Sequence, residues 1–286
     1  MKIIMAVKTA TLRLRKSWKG ILIVWFSSLI PVILVALPLK ASFDTLIGKS
    51  MITEKLINGI NIEVFADMGV TFTSLLSSFS TGFFISILAS FILNAFLTGG
   101  LFNSIKGSAN EFSAREFFSA SAVNFWPFLV VSLIITFIIL GIIMLVIFLP
   151  ILLVSLADPS PEGAYYKTIM IVLPVFLLIL AIMLLVADYA RAWLVSNGQN
   201  SCFKAIGFGF AKTFRTFFSS YALMIILLAV QIFYGWLILT IIPGMKPATG
   251  GAVFFLFLLS QILFFIKILL KVWRYGAVTS LMEQNS

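Results

Sequence analysis

Three ionisable side chains stand inside otherwise apolar stretches of this sequence. Asp188 and Arg191 lie in the run DYARAW, and Lys267 lies in FFIKILLKVWR. An ionised group costs roughly 2.5–3.5 kcal/mol at the centre of a membrane-spanning helix, so each is a candidate for function. Asp188 and Lys267 fall seven residues, about 10 Å, before Val195 and Arg274, near which we expect the fourth and sixth spans to end. We therefore predict that Asp188 pairs with Lys267 across the bundle, or with Arg191 one turn away.

This charged cluster has two interpretations. In the structural one, Lys267 and Arg191 extend towards the lipid headgroups, and a single ion pair fixes the register of the helices. In the functional one, the cluster binds a lipid headgroup or an ion. The residue pattern favours the structural interpretation and leaves the functional one open.

Neutral polar residues form two further candidate sets. Gln231 and Gln261 lie near the middle of apolar stretches, where an amide usually bonds a neighbouring helix. Small and polar residues also recur every fourth position, at Ser74, Ser78, Gly82, Ser86, Ser90, Asn94 and Thr98. This spacing places them on one slowly turning seam of a helix. We favour close helix packing for both sets, with the lining of a transport path as the alternative.

The residue types that are missing exclude several kinds of chemistry. The sequence contains no histidine, and Cys202 is its single cysteine. Ser-His-Asp and Cys-His nucleophiles, HExxH zinc sites and disulfides within the chain are therefore excluded. GxSxG and Walker A motifs are also absent, and the acidic residues are scattered. We expect a non-catalytic protein without metal or cofactor, in which Cys202 is an incidental, reduced thiol.

The composition is that of an integral membrane protein. Hydrophobic residues make up 61% of the 286 positions and charged residues 10%, against roughly 45–50% and 25% in soluble domains. A helix needs about 20 apolar residues to cross a bilayer, and six stretches qualify. They lie at 21–39, 82–103, 128–156, 169–195, 222–242 and 253–273. We predict a single all-α domain of six transmembrane helices, with Gly141 and Pro150 as points where the overlong third could bend or end.

The positive charges predict an orientation. With both termini in the cytoplasm, fifteen of the 20 Lys and Arg residues fall in cytoplasmic segments, as the positive-inside rule requires. The net charge of +10 then belongs to a surface that attracts anionic lipid. Nucleic acid is disfavoured as a partner because the sequence offers no soluble basic domain.

An amphipathic segment precedes each of three predicted helical hairpins, and we expect all three segments to lie on the cytoplasmic leaflet. The first combines basic residues with an apolar set at Ile3, Val7, Ala10, Leu14 and Trp18. The second and third, 111–128 and 202–218, are rich in Phe, and Phe125 and Phe128 recur 89 positions later. The outer loop 40–70 is expected to contain a short helix with an apolar set at Ile52, Leu56, Ile60 and Val64.

Four motifs lie at the predicted cytoplasmic ends of the spans: LTGGLFNSIKG, FSAREFFSASAVNFWPFLV, DYARAWLVSNG and KVWRYGAVTS. Together they resemble uncharacterised bacterial six-span membrane proteins, which are similar to the membrane domain fused to some glycerophosphoryl diester phosphodiesterases. The resemblance implies a fold and a location in the bacterial cytoplasmic membrane. The phosphodiesterase domain depends on histidine and acidic residues, so no catalytic residue carries over to this sequence.

These observations lead to a prediction of function class. The leading expectation is a non-catalytic membrane module that binds lipid or a membrane protein partner. The rival is a small transporter or channel lined by the second, fourth, fifth and sixth spans, and a lipid-modifying enzyme comes third. The direction in which the polar seam faces discriminates between the first two.

Overall fold

The chain forms an all-helical, multi-pass membrane protein. The computed structural model describes residues 2–46, 69–106, 112–157, 162–198, 201–245 and 249–284, and these contain helices and no β-strands. Six helical stretches among them are long and apolar enough to cross a membrane. They cover Trp18–Ser42, Leu76–Lys106, Ala114–Ala157, Gly163–Asn197, Phe217–Ile241 and Gly250–Gln284. The predicted all-α class with six spans is confirmed, and each predicted span matches one of these stretches.

Ten α-helices build the described part of the chain. They are α1 (Lys2–Lys16), α2 (Trp18–Ser27), α3 (Leu29–Leu46), α4 (Val70–Lys106), α5 (Ala114–Ile143), α6 (Leu149–Ala157), α7 (Glu162–Asn197), α8 (Cys202–Arg215), α9 (Phe217–Ile241) and α10 (Gly250–Gln284). The predicted helix over 52–64 lies outside the described residues.

The third span continues past both positions at which it was expected to bend or end. A π-helical turn, Met144–Phe148, joins α5 to α6, and the Leu149 N–H donates to the Met144 carbonyl. Pro150 has no N–H, so one carbonyl in the preceding turn lacks the hydrogen-bond donor that it would have in an α-helix. A widened turn next to this proline keeps the helix continuous. At its other end, α5 begins at Ala114, so the segment 111–128 is largely the start of this span and not a separate helix.

The described helices contribute to two compact units. The first comprises 1–21, 95–241 and 266–286, and the second comprises 22–94 and 242–265. Nearly all described residues that are buried belong to the first unit, where the C-terminal ends of α4, α7 and α10 lie. In the second unit, the buried positions among the described residues are Pro31 and Gly82. The other side chains described in this unit are half-buried or exposed and mostly apolar, which suits a lipid environment.

Glycine permits close helix crossings in the first unit. A Cβ on Gly209 of α8 would lie 2.5 Å from the Val186 carbonyl oxygen of α7. A Cβ on Gly100 of α4 would lie 2.7 Å from the Phe117 carbonyl oxygen of α5. These distances are too short for any side chain, so the absence of a Cβ lets the two backbones approach. The C-terminal ends of α4 and α7 are thus each crossed by the helix that follows in the chain.

The third crossing of this kind involves the first helix of the chain. On α10, Gly276 lies against α1, and a Cβ there would come within 3.3 Å of the Ala10 Cα. The apolar face of α1, including Ile3 and Val7, packs with residues of α9 and α10. An ion pair of 2.6 Å between Arg13 and Glu283 adds to this contact. The protein itself therefore covers Ile3, Val7 and Ala10 of the predicted apolar set, whereas Trp18 is 52% exposed. The position of α1 on the leaflet stays a prediction.

A substitution pair on α8 tests the crossing. We expect Gly209→Ala to lower the free energy of unfolding by about 1–3 kcal/mol, because the added Cβ overpacks against the α7 backbone. Gly207, two residues away on the same helix, has open space around it. Gly207→Ala should therefore be neutral or stabilising by up to about 1 kcal/mol through helix propensity. Thermal unfolding followed by tryptophan fluorescence measures both changes, and equal effects of the two variants would contradict the close crossing.

Candidate functional site: a buried carboxylate between two arginines

The most buried charge in the described chain is the carboxylate of Asp188 on α7, which is 0% exposed. Arg274 of α10 donates from Nε to Oδ2 of Asp188 at 2.9 Å. Arg191 donates from Nη1 to Oδ1 at 3.5 Å and from Nη2 to the Ser132 hydroxyl of α5 at 3.0 Å. One charged network therefore joins α5, α7 and α10.

The partners of Asp188 are partly those predicted. The pair with Arg191, three residues along the same helix, is present. The pair across the bundle is made by Arg274, and the prediction of Lys267 in this place is wrong. Lys267 is exposed on α10.

Lys267 was predicted in place of Arg274 because the end of the last helix was placed too early. The assumption that paired residues lie at the same depth in the bundle was sound. The prediction ended the last span at residue 273, whereas α10 continues to Gln284. Counted from the observed ends, Arg274 lies ten residues before Gln284, and Asp188 lies nine before Asn197. Because Arg274 follows Lys267 by seven residues, both lie on nearly the same helix face, about 10 Å apart along the axis.

The network carries more positive than negative charge. Two guanidinium groups share the single carboxylate, which is the only acidic partner that the described residues provide for them. The Nε of Arg191 is buried and has no hydrogen-bond partner in the described structure. Withdrawing charges from water is costly, and close partners are needed to offset that cost. The net charge of this cluster is therefore +1 in a largely dry environment.

A chain of hydroxyl groups lies beside the charged network. Tyr189, next to Asp188, has its hydroxyl 2.6 Å from the Ser220 hydroxyl of α9, which is 2.7 Å from that of Thr216. Thr216 donates in turn to the carbonyl of Lys212 at 2.8 Å. These bonds connect α7 to the junction of α8 and α9. Sequence reasoning missed them, because nothing in the spacing of Tyr189 and Ser220 signals their contact.

Aromatic rings pack around Arg274. The guanidinium of Arg274 lies 5.3 Å from the centroid of the Tyr275 ring, and that ring is 4.7 Å from the ring of Phe102. Phe102 also contacts Phe128, with 5.8 Å between centroids. A cation near an aromatic face is attracted by the ring quadrupole. These contacts give Arg274 a second source of stabilisation besides Asp188.

The glutamine and asparagine candidates occupy separate places. Gln231 of α9 donates from Nε2 to the Leu270 carbonyl of α10 at 3.4 Å, which is the predicted bond to a neighbouring helix. Gln261 belongs to the second unit, and its Oε1 is buried without a hydrogen-bond partner in the described structure. Asn94 is half-buried on α4.

The seam on α4 faces a neighbouring helix along part of its length. Gly82 lies against α3, with 3.7 Å between a Cβ built there and the Val35 Cα. Ser86 donates to the Pro31 carbonyl at 2.9 Å. Ser78 is half-buried and Ser90 is exposed, since residues four apart rotate by about 40° per step around a helix. The packing interpretation therefore accounts for Gly82 and Ser86.

Three segments of the first unit expose large apolar side chains beside basic ones. On α8 and just after it, Phe203, Phe214 and Phe218 are 78%, 60% and 89% exposed. Exposed Lys204 and Arg215 accompany them. The other two segments are α1 and the start of α5, whose exposed residues are Ile4, Met5, Lys8, Leu12, Arg15 and Lys16, and Arg115, Phe118, Val123 and Trp126. We call these three surfaces the exposed faces.

No group of three or more potential metal ligands occurs among the described residues. Cys202 is half-buried at the start of α8, and its Sγ lies 3.8 Å from the Pro127 carbonyl oxygen. Burial raises the pKa of the Cys202 thiol. At the other end of α8, burial and the neighbouring cations Arg215 and Lys2 lower the pKa of the Lys212 ammonium.

The chain was compared with protein-family models, curated proteins and solved structures. No family model, curated protein or solved structure matches the chain. The resemblance to the membrane domain of glycerophosphoryl diester phosphodiesterases therefore stays a prediction. Function has to be argued from the contacts described above.

The buried carboxylate should matter far more than a surface one. We expect Asp188→Asn to lower the free energy of unfolding by about 3–5 kcal/mol, because it leaves two buried arginines without a counter-charge. The matched control is Glu283→Gln, which removes a carboxylate from the partly exposed pair with Arg13. That control should cost about 0–1 kcal/mol. Unfolding in detergent, followed by tryptophan fluorescence, measures both, and similar losses would show that the Asp188 network is not the dominant contact.

The reactivity of Cys202 should report its raised pKa. A raised pKa leaves less thiolate at neutral pH, and thiolate is the nucleophile. We expect iodoacetamide to modify Cys202 more slowly in the folded protein than in the detergent-denatured chain at pH 7. The folded rate should still increase at pH values where the denatured reference has levelled off. Cys202→Ser supplies the background, and superimposable folded and denatured pH profiles would contradict the assignment.

Proposed function

We propose that this protein is a non-catalytic membrane module whose exposed faces bind the anionic surface of the bilayer. The observation that carries the proposal is the repeated pairing of exposed aromatic or aliphatic side chains with exposed Lys and Arg on α1, on α8 and at the start of α5. Apolar side chains enter the headgroup region, while basic side chains extend to the phosphates. Each basic residue near an anionic leaflet contributes about 1 kcal/mol to such binding.

The packing of the first unit supports this function. Helices α1 and α8 and the start of α5 each have an inner face held against the C-terminal end of α10, α7 or α4 through a glycine crossing. Their outer faces are therefore presented by a fixed scaffold. A helix that is already folded and anchored loses less conformational entropy on binding lipid than a free peptide would.

The proposal includes a side of the membrane. The distribution of Lys and Arg favours placing both termini and the exposed faces in the cytoplasm. The resemblance noted in the sequence supports a bacterial cytoplasmic membrane. Trp18 and Trp126 are exposed, and the preference of Trp for the membrane interface supports the same placement.

The transport alternative has less support from the contacts. Gly82 and Ser86 of the seam pack on α3, and Gln231 bonds to the Leu270 carbonyl. These polar groups serve helix packing, so they are not available to line a path in this conformation. Lipid contact therefore accounts for more of the described surface.

Removing charge from one exposed face should reduce the preference for anionic lipid. We expect the ratio of the affinity for phosphatidylglycerol to that for phosphatidylcholine to be several-fold lower in the double variant Lys204→Gln/Arg215→Gln than in the parent. Each cation near an anionic surface is worth about 1 kcal/mol, and salt screens the effect. Quenching of tryptophan fluorescence by brominated phosphatidylglycerol or brominated phosphatidylcholine in liposomes measures the preference.

The control removes the same charge from elsewhere. Lys40 and Lys167 are exposed on α3 and near the start of α7, outside the exposed faces. Lys40→Gln/Lys167→Gln should leave the selectivity for phosphatidylglycerol unchanged. If both double variants lose selectivity equally, net charge alone sets the lipid preference and the proposed role of the exposed faces fails.

A further inference from the structure

The Asp188 cluster has more hydrogen-bond donors than acceptors. Each guanidinium carries five N–H donors, so Arg191 and Arg274 together bring ten. The acceptors observed for their ionic and hydroxyl contacts are the two oxygens of Asp188 and the hydroxyl of Ser132. The cluster thus combines a net charge of +1 with an unpartnered donor at Arg191 Nε, and its chemistry is that of an anion-binding site.

The cluster is buried but not sealed. The side chain of Asp188 is 0% exposed, whereas those of Arg274 and Arg191 are 9% and 11% exposed. Ser132 beside Arg191 is 7% exposed. The exposed part of the cluster therefore belongs to the two arginine side chains and Ser132, and the carboxylate is fully enclosed.

We propose that Arg191, supported by Ser132 and Arg274, binds the phosphate group of an anionic ligand at this exposed part of the cluster. The planar fork of an arginine matches two phosphate oxygens, and such charge-assisted bonds are the strong ones. Asp188 fixes the orientation of both guanidiniums and reduces their combined charge to that of a single cation. A single positive charge matches a phosphodiester monoanion, which is the form found in an anionic phospholipid.

This site is distinct from the exposed faces, because none of its residues belongs to them. An inorganic phosphate ion shares the recognising chemistry, so the experiment must separate lipid phosphate from free phosphate. The best variant is Arg191→Gln, because it leaves the Asp188–Arg274 pair intact and electrically balanced. We therefore expect this variant to fold and to unfold at a temperature no lower than the parent when phosphate is absent.

The test is a titration of the full chain in maltoside detergent, which contains no phosphate. Unfolding temperature is followed by tryptophan fluorescence while phosphatidylglycerol, phosphatidylcholine, inorganic phosphate or chloride is added at constant ionic strength. We expect phosphatidylglycerol to raise the unfolding temperature of the parent. Its apparent affinity should fall about tenfold in Arg191→Gln, equivalent to about 1.4 kcal/mol. Arg191→Lys, which retains the charge without the fork, should recover part of the loss.

Lys167→Gln is the matched control, since it removes one exposed cation from α7, outside the exposed faces, and leaves the cluster intact. It should respond to phosphatidylglycerol at this site as the parent does. If inorganic phosphate also stabilises the parent but not Arg191→Gln, the site is supported as one for free phosphate. An equal response to chloride would overturn the assignment of phosphate.

Two further outcomes would overturn the site itself. If Arg191→Gln unfolds earlier than the parent without phosphate yet keeps its full response to phosphatidylglycerol, Arg191 has only a structural role. If Lys167→Gln loses the response to the same extent as Arg191→Gln, the effect is a general one of net charge. That second result would remove the site, whereas the role of the exposed faces is tested separately by Lys204→Gln/Arg215→Gln and its control.

Discussion

The buried carboxylate of Asp188 is the constraint on which the first unit depends. A charge that is fully removed from water must be met by close partners, and its partners come from α7 itself and from α10, with Ser132 of α5 completing the network. These helices are distant in the sequence, so the electrostatic requirement selects one register among them. Apolar packing alone discriminates weakly between registers in a lipid environment, because lipid tails are as apolar as the side chains. A buried polar network of this kind specifies a unique arrangement.

Close helix crossings at glycine residues are the second feature that organises the first unit. At Gly100 and Gly209, a crossing segment approaches the C-terminal end of a span so closely that a Cβ would collide with backbone, and at Gly276 a Cβ would make a tight contact of 3.3 Å with α1. These crossings bury one face of α1, of α8 and of the start of α5, and leave the opposite faces free. The same contacts therefore anchor the inner face of each segment and leave its outer face exposed. The proposed lipid-binding role follows from that division, since each short segment has one side for the protein and one for its surroundings.

Sequence reasoning succeeded where a rule acts locally. Apolar length identified the six spans, the i, i+3 spacing identified the pair of Asp188 with Arg191, and the mid-helix amide of Gln231 was expected to bond a neighbour. It failed where an answer depended on a distant partner. Lys267 was paired with Asp188, and Arg274 was not considered, because hydropathy ended the last span at residue 273, whereas α10 continues to Gln284. The apolar face of α1 looked like a lipid-binding face because sequence does not distinguish burial in protein from burial in lipid.

By itself the sequence determined the helical class, the number of spans, the absence of histidine chemistry and the excess of positive charge. These properties follow from composition and periodicity, which act over a few turns of helix. The tertiary structure decided which cation meets Asp188, which face of α1 is covered, and that two arginines share one carboxylate. Such outcomes depend on the relative depth and rotation of helices far apart in the chain. Packing fixes both quantities through contacts such as Gly276 against Ala10, and no local pattern encodes them.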